Sequence, residues 1–194
     1  MVYRGGMAFT KKEIRDAETL RAIAHPLRMK LLGRLRAEGP ATASELGRVF
    51  GESSGSTSYH LRQLERYGFV VDDEKQSSKR ERRWKAAHDL TSFQPSLLED
   101  GGGELMGVVN RQMADHLFRN VRAYLDADFH GPWKDALGSS DYFLRLTAQD
   151  ARRLGEEMSE LVERYVVNNR PADDAEARAL SVHALILPQA GATA

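Results

Sequence analysis

The sequence predicts a mainly α fold with a small β component (α+β). Three observations predict it. Apolar residues recur at helical spacing over residues 17–37 and again over 104–128. Two short capped helical patterns joined by a tight turn occupy residues 42–67. Two short apolar strands flank a polar, basic loop between residues 69 and 86.

The first helical signal carries Leu20, Ala24, Leu27, Leu31 and Leu35 on one stripe. Pro26 lies inside it, so the helix should kink or restart there. Gly39-Pro40 ends it. His25 precedes the proline and is expected to satisfy backbone groups at the kink. Thr42 and Glu45 have capping-box spacing and start a second helix, with Leu46 and Phe50 on its inner face. Gly51 suits the left-handed turn that ends it. Ser53 or Ser54 caps a third helix, whose inner face is Thr57, Leu61 and Leu64, and Gly68 closes it. This is a helix-turn-helix. Phe69-Val70-Val71 and Arg83-Trp84-Lys85-Ala86 read as a hairpin, with Trp84 anchoring it to the core.

Beyond residue 100 the pattern changes. Gly101-Gly102-Gly103 reads as a hinge. Leu105, Val109, Met113, Leu117, Val121 and Leu125 then recur every four residues on one long helix, Glu104 to Asp128. A strand-helix-strand is expected to follow: a strand over residues 142–146, a helix from Thr147 to about Arg164, and a strand over Leu180–Leu187. The last six residues read as disordered. The predicted organisation is a flexible arm over residues 1–15, a helix-turn-helix domain with its hairpin over 16–100 and a separate C-terminal region over 101–190.

Composition narrows the function classes. The chain has 194 residues, 41% hydrophobic and 29% charged, which is enough apolar content for a core. It has no cysteine, so disulfides and thiolate chemistry are excluded. No apolar run is long enough for a membrane helix, and the first twenty residues lack the apolar stretch of a secretory signal. A cytoplasmic location is therefore expected. Net charge is zero, but residues 1–85 hold 18 Lys+Arg against 11 Asp+Glu, and residues 86–194 hold 10 against 17. The first block is +7 and the second −7, which suggests that one half meets a polyanion. No phosphate-binding glycine loop or zinc-protease motif is present. Gly51-Glu52-Ser53-Ser54-Gly55 falls in the helix turn rather than after a strand, so it does not build a nucleophile elbow. No enzymatic activity and no cofactor are expected.

The third helix carries the chemistry. Its outer side presents Gly55, Ser56, Tyr59, Arg62, Gln63 and Arg66. Small hydroxyl residues allow close approach to DNA, Gln pairs with adenine, and Arg pairs with guanine or phosphate. The loop over residues 75–85 adds Lys75, Lys79, Arg80, Arg82, Arg83 and Lys85 against one acid, Glu81. A basic hairpin directly after a helix-turn-helix reads as a wing that lies along the phosphate backbone. His60 has two open readings, a phosphate donor or a residue packed at the helix flank.

Ala24-His25-Pro26-Leu27-Arg28, Ser44-Glu45-Leu46, Ser58-Tyr59-His60-Leu61-Arg62-Gln63-Leu64 and Gly68-Phe69-Val70 together resemble the winged-helix domain of ArsR-like transcriptional regulators. The resemblance covers roughly residues 15–90. It implies a homodimer that places third-helix residues in the major groove of double-stranded DNA. With the outer-face reading, the candidate DNA contacts are Ser54, Ser56, Ser58, Tyr59, His60, Arg62, Gln63 and Arg66, and in the wing Lys79, Arg80, Arg82 and Arg83. The cysteine pair used by metal-sensing members is absent here. The extended C-terminal part departs from the smallest members.

Two recognition helices must sit about 34 Å apart to read half-sites one DNA turn apart. The long helix, about 36 Å at 1.5 Å per residue, is the best candidate to hold them. Leu105, Val109, Met113, Leu117, Val121 and Leu125 are therefore the candidate dimer residues; packing on the chain's own C-terminal part is the other use of that face. Asp126 and His130 share a helix face, but two ligands do not complete a metal site, and none is expected. Tyr124, Phe129, Trp133, Tyr142 and Phe143 either form a small core or line an effector pocket. The expected protein is a repressor on a pseudo-palindromic operator. The rival readings are a sensor of a small molecule or metal through the C-terminal region, and a protein–protein adaptor.

Overall fold

The computed structural model describes residues 3–4, 7–8, 10–73, 81–93, 102–167, 174, 176–178 and 180–189. The elements in chain order are β1 (Tyr3–Arg4), β2 (Met7–Ala8), β3 (Lys11–Ile14), α1 (Ala17–Ile23), α2 (Pro26–Glu38), β4 (Ala41–Thr42), α3 (Ala43–Phe50) and α4 (Ser54–Arg66). They continue with β5 (Val70–Asp72), β6 (Arg83–Ala86), β7 (Leu90–Phe93), α5 (Gly102–Leu125), α6 (Pro132–Ala136) and α7 (Ala148–Val167). The fold is mainly α with small sheets.

Local chemistry sets the helix starts. Pro26 restarts the first helical stripe rather than bending it. It occupies the first turn of α2, where its missing N–H costs nothing. The Asp16 carboxylate accepts from the Thr19 N–H (2.7 Å) and caps α1. His25 Nδ1 accepts from the Leu27 N–H (3.2 Å) and caps α2, so His25 does serve the backbone at this break. The capping box of α3 is complete. The Glu45 N–H donates to Thr42 Oγ1 (3.2 Å) and the Thr42 N–H donates to Glu45 Oε2 (2.7 Å). Gly51 ends α3 with φ 69°, in the left-handed region. Ser53 Oγ then accepts from the Ser56 N–H (3.1 Å) and starts α4.

One apolar cluster joins these helices. Leu20, Ile23, Leu31, Leu32, Leu35, Leu46, Leu61, Leu64, Phe69, Val70 and Trp84 are buried together. β6 lies between β4 and β5 in a three-stranded antiparallel sheet, with Trp84 opposite both Ala41 and Asp72. α3 lies close against the turn that leads into α4. A methyl group at Gly47 would lie 2.7 Å from the Glu52 carbonyl oxygen and 3.3 Å from Thr57 Oγ1. Thr57 is buried, and its hydroxyl donates to the Ser53 carbonyl (3.0 Å).

The N-terminal residues depart from the expected flexible arm. Lys11–Ile14 pair in parallel with Leu90–Phe93, and Ile14 is fully buried. The Thr10 N–H donates to Asp89 Oδ2 (3.0 Å) at the start of this pair. Arg36 ties α2 to the same place, donating to the His88 carbonyl (2.9 Å) and to Thr91 Oγ1 (2.7 Å). Burial pushes the Arg36 pKa down to about 10.

The C-terminal part departs further. Thr147 caps α7 as expected, accepting from the Asp150 N–H (3.1 Å). The expected strands on either side of α7 do not form: residues 142–146 and 180–187 have no strand pairing. Alternating apolar residues make a strand only where a neighbouring backbone completes the ladder, and α7 separates these two segments in sequence. Tyr142 stays 78% exposed and Leu187 72% exposed. Of the expected hinge, Gly102 and Gly103 instead open α5, and Gly101 lies outside the described residues, as do residues 190–194 of the expected disordered tail, 189–194.

The α3–α4 approach sets a stability prediction. Gly47→Ala should cost about 1–3 kcal/mol, because backbone rather than a flexible side chain must yield. Urea unfolding of the two proteins checks it; equal midpoints would show that the turn relaxes freely.

Candidate nucleic-acid interface

The exposed side of α4 is polar and basic. Ser54, Gly55, Tyr59, Arg62 and Arg66 are exposed, and Ser56, Ser58 and Gln63 are half-buried. Ser54, Ser58 and Arg62 follow one another at four-residue steps, so they form one row along the helix. That row faces a shallow cleft of about 220 Å3. Its opposite walls are Thr42, Ala43 and Ser44 at the start of α3, and Glu81, Arg82 and Trp84 of the hairpin.

The cleft is hydroxyl-rich for a local reason. The Thr42–Glu45 capping box fixes the first turn of α3 and brings Ser44 to the rim. Ser44 Oγ donates to Glu81 Oε1 (3.2 Å) across the cleft. Ser44 is not among the contacts expected from sequence. Its one signal there is its place just after the cap, where helix N–H groups face outward. Ser56 is partly committed elsewhere, since its hydroxyl donates to Glu52 Oε2 (3.2 Å).

The predicted wing residues separate. Lys79 and Arg80 lie outside the described residues, as does Lys75. Arg83 reaches inward: it donates to the Pro40 carbonyl and lies 3.6 Å from Glu45 Oε2. Arg82 is paired with Glu65 and Asp72 and covers the Trp84 ring. The sequence reading makes both free phosphate donors; in the structure both hold the hairpin to the helices. The reason is that each has a carboxylate from another element within reach, which a charge count along the loop does not reveal.

Of the two readings of His60, the structure favours packing at the helix flank. Its ring lies against His25, the cap of α2, with centroids 4.5 Å apart, and Tyr59 meets it edge-on at 5.2 Å. His60 Nδ1 and Arg28 Nε are buried with no hydrogen-bond partner among the described residues. Burial pushes both histidine pKa values down. The nearby Arg28 cation adds to this for both, the pair lowers His25 further, and Glu52 opposes it.

The candidate dimer residues also separate. Val109 is fully buried in the chain's own core and Leu105 packs against it. Met113, Val121 and Leu125 stay exposed, Leu125 to 73%, and Phe118 beside them to 69%. The aromatic residues do not gather into one pocket. Tyr124 stacks on Phe129 at 5.7 Å, Trp133 lies under Arg178, and Tyr142 and Phe143 face outward. Among the described residues no three His, Asp or Glu side chains converge as metal ligands, and no helix is long and apolar enough to cross a membrane.

Residues 23–72 match the family described as helix-turn-helix domain. No curated protein matches the chain. Among solved structures, M. tuberculosis Rv0081 is 25% identical, covering 54% of this chain and 91% of its own, with a TM-score of 0.34. An ArsR family transcriptional regulator, RHA00566, is 26% identical over 52% of this chain and 89% of its own, with a TM-score of 0.31. The homodimeric winged helix-turn-helix DNA-binding domain of Mycobacterium bovis Mb0332 is 17% identical over 59% and 86%, with a TM-score of 0.33.

The histidine pair gives a pH prediction. Unfolded, both rings bind a proton near the ordinary value of 6.5; folded, they bind it only at lower pH. Their contribution is therefore intact above that value and is lost as pH falls below it. The urea midpoint should drop between about pH 7.5 and about pH 5.5, and His60→Gln should flatten the drop. An unchanged slope in the variant would remove the pair from the acid response.

Proposed function

We propose that this chain, an ArsR-like winged helix-turn-helix protein, is a transcriptional regulator that binds double-stranded DNA as a homodimer. The observation that carries the reading is the row Ser54, Ser58 and Arg62 facing a hydroxyl-lined cleft between two helices and a hairpin. A row of small hydroxyls ending in an arginine suits major-groove entry, where phosphate contacts set the approach and Arg62 reads a base. Tyr59, Gln63 and Arg66 flank the row and extend the contact along the groove. Ser56 has a part in this only after it leaves Glu52.

The exposed half of α5 supports the dimer. Beyond Val109 the helix carries Met113, Phe118, Val121, Tyr124 and Leu125 in solvent, more apolar surface than one helix leaves uncovered. A second copy packed there would hold two α4 helices a fixed distance apart, as a pseudo-palindromic operator requires. Repression follows if that operator overlaps a promoter. A small molecule that shifts the α5 packing would change the spacing and so the affinity.

Selection of duplexes from a random pool, followed by footprinting, tests the DNA reading. Arg62→Ala should weaken binding to the selected duplex by about 1–3 kcal/mol and relax preference at one base position. Unchanged protection would take α4 out of the readout. Leu125→Glu should shift the protein to monomer in analytical ultracentrifugation and cost operator affinity; a dimer that survives it would place the interface elsewhere.

A further inference from the structure

Arg82 stands at the meeting point of three elements. Its Nη1 donates to Glu65 Oε2 (3.1 Å) on α4, and its Nη2 donates to Asp72 Oδ2 (2.6 Å) on β5. Nη2 also donates to Glu65 Oε1, and Nε to Asp72 Oδ1. Four of the five N–H donors of a guanidinium are thus occupied. Its flat face lies over the Trp84 ring of β6, 3.8 Å from the centroid, and Trp84 is itself buried. Two forks and a stacked face fix the group in orientation as well as position.

Arg62 is the contrast. It is exposed, it lines the cleft, and it takes part in no ion pair among the described residues. To give a phosphate more than its one remaining N–H, Arg82 would have to open a carboxylate fork. The released carboxylate would then face a polyanion unpaired, and its repulsion would offset the attraction of Arg82 for the phosphate.

We propose that Arg82 is a positioning residue: it clamps the wing hairpin to the recognition helix and sets the angle between them, and it does not neutralise phosphate. The inference rests on the DNA reading above for its consequence, though not for its geometry. With α4 and the β5–β6 hairpin held on the same duplex, a fixed angle between them raises affinity for the right sequence. It adds nothing to the salt-dependent term that any duplex feels.

The decisive variants are Arg82→Lys and Glu65→Gln/Asp72→Asn, each measured on a duplex selected by the wild-type protein and on a random duplex of the same length. Lysine keeps the charge but can neither fork to two carboxylates nor stack flat. Arg82→Lys should lose about tenfold on the selected duplex, stay within about twofold on the random one, and leave the slope of log K against log salt unchanged. The double variant should lower the same selectivity ratio although it removes two acids. Lysine restoring full affinity, a slope reduced by about 0.9 in Arg82→Ala, or selectivity kept or raised in the double variant would each overturn the proposal.

Hydrogen exchange tests the clamp without DNA. In Arg82→Lys the amides of β5 and β6 should exchange about tenfold faster while those of α2 stay protected. Should Arg82→Lys fail to fold, the double variant carries the same reading. Unchanged wing protection overturns the clamp. A wild-type protein that ignores every duplex sinks the regulator reading and leaves this measurement standing.

Discussion

The close approach at the turn between α3 and α4 fixes which face α4 presents to solvent. Backbone from the turn lies against the α3 helix at Gly47, where a methyl group would sit 2.7 Å from the Glu52 oxygen. Gly51 reverses the chain just before this point, and the Glu52 N–H closes the turn on the Gly47 carbonyl (2.8 Å). With the backbones this close, Thr57 is buried and Leu61 and Leu64 reach the core. Rotation about the helix axis is then no longer free. Burying Thr57, Leu61 and Leu64 leaves Ser54, Ser58 and Arg62 to face the cleft.

The molecule divides its work between two kinds of surface. Among the described residues up to 90, most large aliphatic side chains are buried, and cations and hydroxyls lie at the surface. The second half displays carboxylates and exposed apolar side chains. Apolar area in water is costly at roughly 25 cal/mol per Å2, so covering the exposed side chains between Met113 and Leu125 would be favourable. The long helix bridges the halves: its first turns belong to the core through Val109, and much of its remainder is exposed.

Much of this was legible in the residues, where the cause was local. Thr42 with Glu45, Ser53 before α4, Gly51 and the Leu61–Leu64 pair each act within a few positions, and each does what its spacing implied. The errors involve distance along the chain. Lys11–Ile14 hides its single buried side chain behind three charged residues, and its partner strand begins 79 positions later. Arg82 counts as a free cation only until Glu65 and Asp72, seventeen and ten positions back, are brought beside it. Residues 142–146 alternate like a strand, yet alternation specifies a face and not a neighbour.

The parallel pairing of β3 with β7 bears on how the unit is bounded. It fastens the leading segment to the stretch just before α5, and Arg36 locks that junction from inside with two neutral acceptors. The segment before α1 and the strand after β6 thus meet at one place. The closure is made of eight residues and one guanidinium. A truncation that spares every predicted contact but starts at residue 16 would therefore remove a wall of the domain.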